Sequence, residues 1–191
     1  MAYKLIFRFI SAIEIQYRFL MDRLYAKIWP QRFGRCGNDL HIYYPGFISG
    51  PDKMQVGNNV HINRGSLIRA EGGLNIGDNV HIARNVTIYT INHNYEGTAI
   101  PYDQSFIKKP VVIEKNVWIG VNVTIIPGVT IGEGAIIGAG SVVSNDVNPL
   151  AVVGSAPLRV IKFRNQKRYM KLDKEKLYGG VNGSLYGSDK I

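Results

Sequence analysis

The sequence predicts a mainly β protein: a parallel β-helix of short strands, with an N-terminal helix, one extruded loop and a short C-terminal helix. Three observations carry this. Branched aliphatic residues recur at a strict period of six over much of the chain. A polar, aromatic segment breaks that period once. The first thirty residues follow helical rather than six-residue spacing. At 191 residues the chain has the size of one domain.

The helix comes first. Leu5, Phe9, Ile13, Leu20, Leu24 and Ile28 recur near helical spacing, with Arg8, Arg18, Arg23 and Lys27 among them. This predicts a helix over residues 3–28, stopped by Trp29-Pro30, and makes 1–30 an N-terminal extension. Two roles fit it. The favoured one is a cover packed on the open end of the solenoid or on an oligomer. The other is a basic amphipathic helix resting peripherally on an anionic leaflet. Lys4, Arg8 and Glu14 interrupt the first apolar stretch and no small-residue cleavage site follows, so it does not read as a secretory leader. The expected compartment is the cytoplasm, peripheral to the inner membrane if the helix touches lipid. Cys36 is the single cysteine, so no intrachain disulfide can form.

The solenoid domain spans 31–162. From Val111 the chain reads VVIEKN, VWIGVN, VTIIPG, VTIGEG, AIIGAG, SVVSND, with Ile113, Ile119, Ile125, Ile131, Ile137 and Val143 at the third place of each six. Upstream the phase holds at Val56, Ile62 and Ile68, slips by two residues around Glu71-Gly72, and resumes at Ile76, Ile82 and Ile88. A period of six fits neither a helix nor a long strand. It fits short strands joined by turns, three to a triangular coil, each pointing one aliphatic side chain inward and pairing its backbone with the coils on either side. Gly, Asn and Asp between the strands supply turn chemistry.

Between Ile88 and Ile113 the repeat lapses, and residues 89–110 are expected to leave the solenoid as a loop. Long loops in compact domains are usually functional. This one opens with Asn92-His93-Asn94. An imidazole is suited to exchange a proton near neutral pH. After the loop come Asn116-Val117-Trp118-Ile119-Gly120-Val121, then Ile137-Gly138-Ala139-Gly140-Ser141, then Gly154-Ser155-Ala156-Pro157-Leu158-Arg159-Val160-Ile161-Lys162.

Over roughly residues 40–165 these motifs resemble the hexapeptide-repeat acyltransferase superfamily. The branch is that of sugar and xenobiotic O-acetyltransferases, similar to maltose and galactoside acetyltransferases and to polysaccharide O-acetyltransferases. The resemblance implies a left-handed coil, against the usual crossover hand, and homotrimers with active sites between subunits. It implies acetyl-CoA as co-substrate and His93 as general base. The backbone N–H of Val121 is implied as the oxyanion donor. Trp118, Gly120, Val121, Ala139, Ser144, Asn145, Arg159 and Lys162 are implied on the CoA side, the two cations meeting phosphates. Relatives often carry Thr-Lys where this chain has Ser144-Asn145. Matching the phase backward places acceptor contacts at Ser49, Asn63 and Glu71, with a sugar or envelope-polysaccharide precursor as the expected acceptor. Chloramphenicol- or streptogramin-type acetylation is the nearest rival, and a catalytically silent scaffold a further one.

His41, His61 and His81 are spaced by twenty residues and should stack in one outward column. A zinc-dependent hydratase, like the γ-class carbonic anhydrases, is the reading from another class. A polar ladder or subunit contact is expected instead, with no metal required.

Residues 163–191 begin with a second basic, helical segment over 163–178 and end in a Gly- and Ser-rich tail. The net charge of +9 is concentrated at the two ends: +3 over residues 1–30 and +6 over 159–176. No nucleic-acid-binding motif accompanies it, so nucleic acid is not an expected partner. No run approaches the length of a membrane span.

Overall fold

In a computed structural model the chain is described over residues 2–154, 165–175 and 177. The solenoid forms as the period requires. Its strands stack into three parallel sheets of five, six and five strands, one for each face of a triangular prism. The first face includes Met54–Val56, Leu74–Ile76 and Val111–Ile113; the second includes His61–Ile62, His81–Ile82 and Trp118–Ile119; the third includes Leu67–Arg69, Thr87–Tyr89 and Thr124–Ile125.

Each of these strands sends a residue into the core, and the three-residue strands of the first face send two, Met54, Leu74 and Val111 being buried as well. The columns run through Val56, Ile76, Ile113 and Ile131 on the first face, Ile62, Ile82, Ile119 and Ile137 on the second, and Ile68, Ile88, Ile125 and Val143 on the third, all buried. Each fully buried branched side chain contributes about 1.5–3 kcal/mol of transfer free energy. At the turns Asn59, Asn79 and Asn116 take positive φ. Their side chains form a ladder, Asn59 Nδ2 donating to Asn79 Oδ1 at 2.9 Å and Asn79 Nδ2 to Asn116 Oδ1 at 3.0 Å. Asparagine tolerates the left-handed conformation and pairs with its own kind.

Six residues separate core positions from the first face to the second and from the second to the third, throughout. From the third face back to the first the number varies. Eight residues separate Ile48 from Val56 and Ile68 from Ile76, twenty-five separate Ile88 from Ile113, and four separate Val143 from Val147, which bridges Ile131. The slip at Glu71-Gly72 is thus the second of its kind. The first is a 3₁₀ turn at Pro51–Lys53, which the period does not announce.

The N-terminal helix α1 spans Ala2–Arg32 and runs through Pro30 rather than stopping before it. Packing overrides the missing N–H. Trp29 and Phe33 stack at 5.9 Å and are both buried against the first coil, and Phe33 N–H donates to Trp29 O at 3.2 Å. Asp22 fastens the same segment, pairing with Arg64 at 2.6 Å and accepting from Tyr44 N–H at 2.9 Å. The C-terminal helix α2, Gln166–Lys174, lies within the expected 163–178. No helix among the described residues is long and apolar enough to cross a membrane.

Candidate active site

The excursion at 89–110 is not an irregular loop. Ile91–His93 and Phe106–Lys108 pair antiparallel, with His93 opposite Phe106 and Asn92 opposite Ile107. The short alternation on both strands is a two-residue period too brief to stand out from the sequence.

Thr90 is the root of this hairpin. Its hydroxyl donates to Arg69 O at 2.8 Å and accepts from Gly72 N–H at 2.7 Å. Its carbonyl accepts from Lys109 N–H at 2.8 Å, closing the base. Gly72 passes so close that an added Cβ would lie 2.0 Å from Thr90 O, so only glycine fits. The two-residue slip and the hairpin are therefore one device. At the far end Asp103 accepts from Thr98 N–H at 2.7 Å and from Ser105 N–H at 2.9 Å. Hydrogen bonds from the Ser105 side chain and from Thr98 and Ser105 N–H hold its carboxyl down at about 2. Helix α2 rests on the same turn: Arg168 donates to Gly97 O, and Leu177 O accepts from Ile100 N–H.

His93 ends the first strand of the hairpin. Its ring stacks on Tyr102 at 3.9 Å and leans on Phe106 at 4.7 Å. Its Nδ1 is buried and has no hydrogen-bond partner. An unsatisfied buried polar atom costs about 1–3 kcal/mol. The ring lines a cleft of about 470 Å³ together with Arg69, Tyr89, Asn92, Phe106, Ile126 and Pro127.

Beside the cleft sits a polar network. Arg69 pairs with Glu71 at 2.8 Å, and Ser49 Oγ donates to Glu71 Oε1 at 3.0 Å. Burial opposes the Glu71 charge, yet the hydrogen bonds from Arg69 and Ser49 outweigh it and hold the carboxyl below its ordinary value. The second oxygen, Oε2, is buried and unpartnered. Two of the three expected acceptor residues, Ser49 and Glu71, thus meet at this corner. Arg69 joins them and was missed; it ends the strand two residues before the slip, where an outward polar side chain is the only signal. Asn63 stands apart, after a second-face strand. Its Nδ2 donates to Ile82 O at 3.0 Å, and it lines a small crevice with Tyr25 and Tyr43.

The donor-side residues divide between corners. Trp118 stands on the second face, 56% exposed, between His81 and Ile136 of the adjoining coils. Gly120, Val121 and Ala139 follow at the turn to the third face. Gly120 is pressed on the next coil, a Cβ there falling 2.8 Å from Ala139 N, and the Val121 carbonyl accepts from Gly140 N–H at 2.8 Å. Ser144 and Asn145 lie at the other corner, where the third face turns back to the first, as the His93 hairpin does. Arg159 and Lys162 lie outside the described residues. One chain alone therefore sets His93 on one edge of the prism and Trp118 and Val121 beside another.

The histidine column forms. His41, His61 and His81 stack face to face with centroids 4.3 and 4.1 Å apart. Rings piled in this way do not converge their nitrogens on one ion. Among the described residues no group of three His, Cys, Asp or Glu is placed to hold a metal.

Comparison with known proteins assigns the class of this histidine-bearing β-prism. The bacterial transferase hexapeptide (six repeats) model matches residues 110–145. The hexapeptide-repeat-containing acetyltransferase VCA0836 of Vibrio cholerae is 31% identical, with a TM-score of 0.62 over 74% of this chain and 80% of that one. Galactoside acetyltransferase, solved with coenzyme A, is 33% identical, with a TM-score of 0.61 over 74% of this chain and 70% of that one. The N-acyltransferase AntD of Bacillus cereus, at 24% identity and a TM-score of 0.54 over 75% of this chain and 90% of that one, shares the fold. No curated protein sequence matches. The chain belongs to the hexapeptide-repeat acetyltransferases, and is an acyltransferase.

Proposed function

We propose that the protein transfers an acetyl group from acetyl-CoA to a hydroxyl of a sugar or an envelope-polysaccharide precursor, with His93 as general base. The observation that carries this is the His93 ring, clamped between Tyr102 and Phe106 with an unspent buried nitrogen, in a cleft walled by Arg69. Polar groups around an aromatic-walled cleft suit a polyhydroxy acceptor. The donor is supported by VCA0836, solved with acetyl coenzyme A, and by galactoside acetyltransferase, solved with coenzyme A.

In this reading His93 takes the hydroxyl proton as the acceptor oxygen attacks the thioester carbonyl. It then returns that proton to the departing sulfur, leaving an acetyl ester and free CoA thiol. The backbone N–H of Val121 donates to the carbonyl oxygen, a role indifferent to its side chain. Gly120 and Ala139 keep the coil edge flat for the pantetheine arm, Trp118 shapes the acetyl channel, and Ser144, Asn145, Arg159 and Lys162 serve the nucleotide end. Ser49, Arg69 and Glu71 hold the acceptor; Asn63 serves only if a neighbour's cleft faces it.

The division of base and donor residues between edges supports a homotrimer, in which the Val121 edge of one copy closes the His93 cleft of the next. The cytoplasm is the compartment we assign, where the lone Cys36 stays reduced. The test is thiol release from acetyl-CoA with sugars, nucleotide sugars and antibiotics as acceptors. Turnover with sugars alone supports the assignment. Turnover with chloramphenicol or streptogramins alone replaces it with the xenobiotic reading, and zinc-dependent hydration of carbon dioxide with no thiol release replaces it with the hydratase.

A further inference from the structure

Helix α1 is two different surfaces. From Asp22 onward one side is fastened to the solenoid: Asp22 to Arg64, Tyr25 OH to Gly46 O at 3.3 Å, Trp29 and Phe33 in the core. The opposite side touches the body at Tyr17, whose ring stands edge-on to Tyr44 at 6.0 Å, and is otherwise turned to solvent. Tyr3, Ile6, Ile10, Ile13, Tyr17, Leu20, Leu24 and Ile28 recur at intervals of three and four, forming one stripe along the whole helix, and every one is exposed. Phe7 and Phe9 widen the stripe and are 72% and 68% exposed. So long an apolar strip in water calls for an occupant.

We propose that this stripe docks the enzyme in the plane of an anionic lipid bilayer. Two properties select lipid over a second copy of the chain. First, the apolar surface is wider than a helix–helix seam. Phe7 and Phe9 flank the three-four stripe on either side and would stay in water in a paired coil, whereas a bilayer takes the wider face. Second, the charge is unbalanced. Both acids of the helix are already engaged, Glu14 with Arg18 and Asp22 with Arg64. Lys4, Arg8, Arg23, Lys27 and Arg32 have no carboxylate partner within the helix, so two such helices side by side repel while an anionic leaflet attracts. Arg23 and Lys27 are exposed near the border of the stripe, where long cations reach headgroups. The fastened side of the helix then sets the solenoid directly against the surface.

The test is cosedimentation of the full chain with vesicles, read without turnover so that it stands apart from the acceptor assignment. The wild type is expected to bind vesicles of phosphatidylglycerol and phosphatidylcholine, less so as salt rises, and to bind pure phosphatidylcholine weakly. Ile6→Glu with Ile10→Glu and Ile13→Glu should abolish binding while circular dichroism and particle mass by light scattering stay at wild-type level. Arg23→Glu with Lys27→Glu keeps the apolar stripe intact and should weaken binding by about tenfold or more. Absence of wild-type binding overturns the proposal. So does a triple variant that binds as well as the wild type, or one whose particle mass drops by light scattering, since a lost self-contact identifies a second copy as the occupant.

Discussion

Replacing His93 separates its chemical role from its packing role. His93→Ala removes both the proton acceptor and a ring that touches Tyr102 at 3.9 Å and Phe106 at 4.7 Å. Each aromatic contact contributes about 0.5–1.5 kcal/mol, so the hairpin loses about 1–3 kcal/mol of local stability. Loss of a positioned base costs about 10²- to 10⁴-fold in rate. The two effects overlap in the alanine variant, because 3 kcal/mol of local disorder alone corresponds to roughly a hundredfold. His93→Phe resolves them: the stack remains and the base is gone. Measured by thiol release at saturating donor and acceptor, both variants are expected to fall by about 10²- to 10⁴-fold in kcat. Amide exchange across Ile91–His93 should accelerate only in the alanine variant. A phenylalanine variant turning over within a few-fold of wild type would refute the reasoning and make His93 a packing residue.

Gly72→Ala should push Thr90 aside, since the new Cβ would meet its carbonyl at 2.0 Å; a loss of about 1–3 kcal/mol in denaturant unfolding and a fall in kcat with donor binding retained would show that the slip anchors the hairpin. Arg159→Ala with Lys162→Ala should raise KM for acetyl-CoA, by about tenfold for a lost charged hydrogen bond, and leave KM for the acceptor unchanged; unchanged donor kinetics would place the nucleotide elsewhere. His61 should titrate below the ordinary imidazole value, through its burial first and then His81 and His41. Its protonation is disfavoured in the folded state, so its part of the stability is complete above about pH 6.5 and declines as pH falls through the folded value. His81→Gln should move the His61 titration part-way back in an NMR pH series, and an unmoved titration would remove His81 as a cause.

The core columns were legible because the strands turn an aliphatic residue inward at the same place in the six-residue phase, so a single letter in six reports the fold; the second inward residues of the first face, Met54, Leu74 and Val111, fall outside that letter. The Asn92-His93 segment was legible because it broke that rhythm. What the rhythm could not carry was pairing within the break: the partners of Ile91–His93 lie at Phe106–Lys108, and nothing in either short stretch alone marks a strand. Pro30 misled as a helix stop because the stacking of Trp29 on Phe33 is tertiary and invisible in local sequence. Asn63 was carried onto the acceptor side by phase alone, and phase fixes which way a residue points but not which corner it occupies. Arg69 escaped the same reasoning, since its meeting with Glu71 and Ser49 depends on coils stacking in register.

Every departure from the six-residue count falls on one edge of the prism, where the third face turns back to the first. The Pro51–Lys53 turn, the Glu71-Gly72 slip, the His93 hairpin and the shortened return to Val147 all lie there. The other two edges keep metre, and the core needs only them to stay in register. Length on the third edge is therefore a free variable: segments there can be lengthened, shortened or exchanged while the aliphatic columns stay in place. Three of the residues expected to meet the acceptor and carry the chemistry, Ser49, Glu71 and His93, sit on that edge. The scaffold thus confines its tolerance for insertion to the line along which it reads its substrate, so acceptor preference can be redrafted by loop grafting at a single seam.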